Sequence, residues 1–262
     1  ESDSGSSSDD QITNDGTINV AGVEDDATWQ YRYTGLLNWA NGSGSSFELP
    51  EGDYANVQVR QIDAAGNEGS FVDLGPTVID TTGPTLSLSL AEDTGDSSAD
   101  GITSNDQINV SGLESGQTWQ YQTESGGSWF EGSGSSFSLN EGDYASGEVQ
   151  VRQTDVAGNQ TIASDLGAVT IDTTGPTLSL SLAEDTGDSS ADGITSNDQI
   201  NVSGLESGQA WQYQTESSGS WFDGSGSSFS LNEGDYVSGQ VQVRQTDVAG
   251  NQTIASDLGA VT

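Results

Sequence analysis

The stretch Thr85-Leu-Ser-Leu-Ser-Leu90 alternates apolar and polar residues without a break. That period turns one face of a strand into a core and the other into solvent. Gln107–Ser111, Trp119–Thr123, Ser128–Phe130, Ser136–Leu139 and Glu148–Thr154 read as further strands, and another is predicted near Leu166–Ile171. Gly, Asn, Asp and Ser fill the gaps between them, and no window carries a helical period. Seven short strands in roughly 90 residues predict an all-β fold, an antiparallel β-sandwich of immunoglobulin-like type. Two internal marks agree with it. Trp119 opens the third strand, where such sandwiches bury a Trp. Tyr144, in Asn140-Glu-Gly-Asp-Tyr144, stands where a tyrosine corner belongs, and Tyr54 and Tyr236 repeat the placement.

The pattern recurs. Residues 83–170 and 175–262 align without gaps and differ at five positions: Thr118/Ala210, Gly126/Ser218, Glu131/Asp223, Ala145/Val237 and Glu148/Gln240. Residues 1–82 align more loosely, run two residues shorter after Tyr54 and have no counterpart of Pro84–Leu90. The expectation is three tandem sandwiches in an elongated array, over 1–82, 83–174 and 175–262. The first lacks its strand A, lost to truncation or filled by another chain. Both ends fall mid-pattern, which suggests a piece of a longer array. Between repeats stands Ile79-Asp-Thr-Thr-Gly-Pro-Thr85, returning as Ile171–Thr177. Gly-Pro stops strand pairing, so these stretches read as joints.

Charge changes the picture next. Four arginines (Arg32, Arg60, Arg152, Arg244) face 41 carboxylates, a formal charge of -37, with no Lys, His or Cys. Such a field repels nucleic acid and anionic membrane surfaces. No apolar run reaches the length of a membrane span, and no signal peptide is evident. Disorder is the bland alternative for an acidic, Gly/Ser-rich chain. Six Trp, seven Tyr and repeated period-2 strands count against it.

In a seven-stranded sandwich the A–B loop and the F–G turn lie at opposite ends, so stacked repeats bring the A–B loop of one to the F–G turn of the next. The acids sit there. Two like charges about 4 Å apart repel by roughly 4 kcal/mol at an effective dielectric near 20. Converging carboxylates therefore call for a cation, and a set of oxygen ligands alone points to Ca²⁺ rather than zinc or copper. The predicted ligands are Asp3, Asp10, Asp80, Asp155 and Asn159 at the first joint. At the second they are Asp93, Asp100, Asp172, Asp247 and Asn251, with Asn105, Asp106 and carbonyls near Ile102 as additions. Asp185 and Asp192 repeat the loop positions in the third repeat.

Glu92-Asp-Thr-Gly, Asp100-Gly-Ile-Thr, Asp155-Val-Ala-Gly-Asn159 and Ile171-Asp-Thr-Thr-Gly-Pro176 together resemble the tandem bacterial Ig-like domains of giant RTX or Bap-like surface adhesins. That resemblance implies type I secretion from a Gram-negative bacterium, an extracellular location at the cell surface, and calcium at the domain junctions. In the first repeat Ser2-Asp3-Ser4-Gly5 and Asp10-Gln11-Ile12-Thr13 replace the corresponding motifs, and the glycine before Ile12 is lost. The implied role is a stalk whose calcium-stiffened joints hold an adhesive tip away from the cell. Its partners are then the neighbouring repeats, with an adhesive target unknown. The competing reading is a carbohydrate-binding array on Trp119, Tyr121, Trp129 and Phe130. Catalysis is not expected: paired acids could cleave glycosides, but here they are loop features copied repeat by repeat. Asp223-Gly-Ser-Gly-Ser227 matches an integrin-type metal pattern without its α/β setting, and Asn109-Val-Ser111 and Asn159-Gln-Thr161 match glycosylation sequons by accident of a Ser-rich chain.

Overall fold

The alternation is realised as short strands, almost all paired antiparallel, and among the described residues there is no helix. The computed structural model describes residues 3–216 and 218–262. The chain divides into two compact units. One gathers the chain up to Leu88 with Val110–Ser135 and Val149–Asp165; the other gathers Ser89–Asn109, Ser136–Glu148 and Leu166–Thr262. The division runs through the middle repeat, so Asp80 lies inside the first unit and Asp172 inside the second.

The first unit contains the whole first repeat. Ala40–Asn41, Thr28–Tyr33, Val57–Ile62 and Val72–Asp73 form a four-stranded sheet; opposite it Thr17–Asn19 pairs with Ser46–Glu48. Ile18, Trp29, Phe47, Leu49, Tyr54, Val57 and Ile79 form the core between them. The second unit contains the whole third repeat. There Ser179–Leu182, Gln199–Ser203 and Ser228–Ser230 face the sheet Phe222–Asp223, Trp211–Gln214, Gln242–Thr246, Gln252–Ala255 across Leu180, Ile200, Trp211, Phe229 and Val243. Both predicted core marks are present. The indoles of Trp29, Trp119 and Trp211 are each 5% exposed and donate to Gly44, Gly134 and Gly226 carbonyls at 3.0 Å. The hydroxyls of Tyr54, Tyr144 and Tyr236 donate to the carbonyl four residues upstream at 2.7, 2.9 and 2.9 Å.

Two pairings differ from the sequence expectation. The partner of Gln150–Thr154 is Gln160–Ala163, which follows immediately after a tight turn. The strand expected near Leu166–Ile171 is confined to Val169–Ile171, antiparallel to Gly142–Tyr144 and parallel to Ile102–Thr103. Ile102–Thr103 lies in what reads as an acidic loop. The cause is Thr103, fully buried, whose hydroxyl donates to Glu92 O (2.9 Å) and accepts Asn105 N–H (3.0 Å).

The loop geometry also explains a glycine. Gly101 and Gly193 take φ of 77° and 75°, and Gln11 stands at the same place at 61°. A side chain there costs roughly 1–2 kcal/mol, and the Gln11 amide oxygen is buried without a partner. Gln11→Gly is expected to stabilise the first repeat by about 1 kcal/mol, read as a higher urea midpoint at unchanged slope.

Candidate functional sites at the two joints

Each F–G turn is closed by its own Asp and Asn. Asn159 gives its backbone N–H to one Asp155 carboxylate oxygen (2.8 Å) and its side-chain N–H to the other (2.9 Å). Asp247 and Asn251 repeat both distances. The same turn forms in the first repeat, where Asn67 donates to both oxygens of Asp63 and Ala65 at its tip is exposed. The corresponding Ala157 and Ala249 are fully buried, and Asp155 and Asp247 are 2% and 0% exposed. The turn is therefore a preformed plug, and at each joint a loop from the preceding repeat covers it.

That loop is the A–B loop. Ser4 Oγ lies 2.7 Å from Ala157 O, and Ser6 N–H donates to Val156 O at 3.1 Å. At the second joint Thr94 Oγ1 donates to Ala249 O (2.6 Å), Asp96 N–H to Val248 O (3.2 Å), and Gln209 Nε2 to Asp96 Oδ2 (3.0 Å). Gly5 and Gly95 are required twice over: their φ values are 94° and 92°, and a Cβ on either would stand 2.0 Å from the Val156 or Val248 carbonyl oxygen. Gly187 has φ 103° and meets nothing closer than 4.0 Å.

The linker is fastened on both sides. Asn159 Nδ2 donates to Asp80 O and Asn251 Nδ2 to Asp172 O, both at 2.7 Å. On the other side Glu51 accepts the Thr81 and Thr82 hydroxyls (2.6 and 3.0 Å), and Glu141 accepts those of Thr173 and Thr174 (2.8 and 2.6 Å). Gly83 and Gly175 are glycines for space, since a Cβ would stand 2.6 Å from the Thr161 or Thr253 hydroxyl.

Charge gathers where these parts meet. Glu114 is held above the ordinary value of 4.5 by desolvation, then by the negative charges of Asp155 and Asp80. Glu206 is raised in the same way, with Asp247 and Asp172 as the like charges. Glu51 and Glu141 are held below 4.5, mainly by their threonine hydroxyls. A raised carboxyl contributes stability on the acid side and loses it as pH rises through its folded pKa; a lowered one loses its contribution as pH falls through its folded pKa. In EDTA the melting temperature is therefore expected to rise as pH is lowered from neutral through the raised range of Glu114 and Glu206, and to fall at more acid pH, where Glu51 and Glu141 take up protons. A scanning-calorimetry pH series checks it, and Glu114→Gln with Glu206→Gln should flatten the rise.

The sequence-predicted ligands separate into groups. Asp80, Asp155 and Asn159 are brought together at the first joint, and Asp172, Asp247 and Asn251 at the second, through the bonds above. Asp10, Asp100 and Asp192 are exposed and cap the N–H two residues on, at 3.0, 3.0 and 3.1 Å. Asn105 caps Gln107 N–H at 3.0 Å, and Asp106 gives its backbone carbonyl to Leu139 at 2.9 Å. Asp3, Asp93 and Asp185 each accept the N–H eight residues on at 3.1 Å, from Gln11, Gly101 and Gly193. The second carboxylate oxygen of each is buried with no partner. An anionic oxygen removed from water without a donor is costly, and a hard cation is the partner it lacks, so the donor set fits one. Among the described residues no three carboxylates stand close enough to hold an ion in this arrangement. Sequence reasoning missed Glu51, Glu114, Glu141 and Glu206; their identical placement in the repeats was the available signal.

The aromatic surface has a structural occupant. The guanidinium groups of Arg152 and Arg244 lie 4.2 Å over the Trp129 and Trp221 rings, and both also bind a glutamine, Gln120 or Gln212. Among the described residues only Arg60 makes a salt bridge, to Glu68. Asp223 accepts Gln212 Nε2 at 2.8 Å, a cross-strand pair that Glu131 and Asn41 make in the other repeats. Neither a family model nor a curated protein matches this chain.

Proposed function

We propose that this chain is a structural extender in the stalk of a large bacterial cell-surface adhesin, built of tandem immunoglobulin-like β-sandwiches whose joints are stiffened by Ca²⁺. The observation that carries the reading is the clasp made twice with the same bond, Asn159 to Asp80 O and Asn251 to Asp172 O, both 2.7 Å. A loop, a linker and a turn that fit this closely at successive repeats favour fixed spacing over substrate selection. Calcium, when bound, would supply the positive charge that the converging carboxylates lack. The predicted joint ligands Asp80, Asp155 and Asn159, and Asp172, Asp247 and Asn251, would have to draw closer than they stand here to share an ion. Asp3, Asp93 and Asp185 would hold it within the loops. An extracellular setting, type I secretion of an RTX-like protein and a part in surface attachment or biofilm formation follow from the resemblance of its motifs to bacterial Ig-like adhesin repeats.

Titration calorimetry with CaCl₂ tests the reading. Asp172→Ala is expected to weaken the binding that belongs to the second joint at least about tenfold and to leave both flanking sandwiches folded by circular dichroism. Unchanged stoichiometry and affinity would count against it.

A further inference from the structure

Between the covering loop of the first joint and the sheet that carries Gln120 and Arg152 lies a cleft of about 500 Å³. That size falls within the range of about 300–1,000 Å³ usual for small-ligand sites. Ser6, Gln117, Thr118, Arg152, Thr154 and Gln160 line it, and no apolar side chain does. The counterpart at the second joint is smaller, about 310 Å³, with Asp96 and Ala210 standing where Ser6 and Thr118 stand. The chain runs on through both sides of that second joint, so such a cleft belongs to the joint itself.

Arg152 is the one cation among the lining residues. Its Nε and Nη2 donate to Gln120 Oε1 at 2.8 and 2.6 Å, and Nη1 takes no part in these bonds. The first repeat shows what this position takes: both Nη atoms of Arg60 donate to the Glu68 carboxylate. Gln160 stands at the place of Glu68, and its Nε2 turns instead to Thr154 Oγ1 at 3.1 Å. A second donor is freed in the same way. At the second joint Gln209 Nε2 binds the Asp96 carboxylate at 3.0 Å. At the first, Ser6 replaces that acid, and the Gln117 side chain makes no hydrogen bond among the described residues. Asp155 also lines the cleft, but it is 2% exposed and Asn159 holds both its oxygens. Glu131 is engaged across the strands by Gln120 Nε2 at 2.6 Å.

We infer that the first joint holds a binding site for a sugar acid. Arg152 and the Gln117 amide take its carboxylate, as Arg60 and Gln209 take carboxylates elsewhere in the chain. A guanidinium–carboxylate bond is about twice as strong as a neutral one, which makes the carboxylate the anchor. Around it Ser6, Thr118, Thr154 and Gln160 offer both donors and acceptors to ring hydroxyls. The same lining gives an alkyl or aromatic group nothing to bury against. A formal charge of -37 opposes any anion. Salt screens that field beyond about 8 Å, and the contact with Arg152 is closer than that. The second cleft is smaller and is lined by Asp96 and Asp223, so it is expected to refuse the same ligand.

The probe is D-glucuronate, titrated into the full chain in calcium and followed by NMR at the Trp129 indole N–H and the Gln117 side-chain amide. Saturable shifts are expected with a dissociation constant of about 1–10 mM, while the Trp221 indole stays in place. Glucose lacks the anchor and should give no shift; acetate lacks the ring and should bind at least about tenfold more weakly. Gln160→Glu sets beside Arg152 the carboxylate that Arg60 holds in the first repeat. Ser6→Asp restores the acid that Gln209 binds at the second joint. Each should weaken glucuronate binding at least about tenfold. Each also places a residue that another repeat already carries at that position, so the circular-dichroism spectrum should be unchanged. No shift at about 50 mM glucuronate would overturn the inference. So would acetate or glucose binding as tightly as glucuronate. Undiminished binding in both variants would overturn it too, since the carboxylate would then be held through calcium rather than by Arg152 and Gln117.

Discussion

Replacing Gly95 with valine is expected to open the second joint, while the same replacement at Gly187 costs stability only locally. Both glycines are left-handed, at φ 92° and 103°. A β-branched residue in that region costs roughly 1–2 kcal/mol at either place. The two differ in what a side chain meets. At Gly95 the Cβ would stand 2.0 Å from Val248 O, a backbone atom that cannot swing aside, whereas at Gly187 the nearest atom is 4.0 Å away. The loop must then lift off the turn and give up the Thr94–Ala249 and Asp96–Val248 bonds. At about 0.5–1.5 kcal/mol each, the extra cost at Gly95 is about 1–3 kcal/mol. Amide exchange reads it: Asp96 N–H should lose protection in Gly95→Val and keep it in Gly187→Val. Equal losses in the two variants would show that the close approach carries no energy.

Much of this arrangement is legible in the sequence, because it depends on short-range patterns. Period-2 alternation gives the strands, and Trp119 and Tyr144 fix two points of the core. The order of loops around a sandwich brings Asp93-Thr-Gly95 to Asp247–Asn251 with Asp172 between them. What the sequence hides are contacts set by side-chain reach. Glu51 and Glu141 look like ordinary loop acids, yet each holds two threonine hydroxyls of the linker. Glu114 and Glu206 sit in a loop with no metal-like spacing, and only the packing of three segments brings them near Asp155 and Asp247. Asp10, Asp100 and Asp192 carry the same residue type as Asp3, Asp93 and Asp185, but they face solvent while the latter each bury an unpartnered oxygen. Composition does not separate such neighbours; burial does. The parallel pairing of Ile102–Thr103 was hidden for a similar reason, since two residues are too few for a period to register.

Withdrawing calcium is expected to cost the most. If each joint binds one ion with a dissociation constant of about 10⁻⁴ M, then about 10 mM calcium adds roughly 2.7 kcal/mol per joint. EDTA would remove that and restore the repulsion among Glu206, Asp247 and Asp172, and among Glu114, Asp155 and Asp80. The clasp bonds alone would remain, and they compete with a formal charge of -37. The direct measurement is scanning calorimetry of the full 262-residue chain at neutral pH, in about 10 mM calcium and in EDTA. The melting temperature is expected to be higher by several degrees in calcium, with the gain reduced by Asp80→Ala and by Asp172→Ala. Identical melting curves in calcium and EDTA would contradict it.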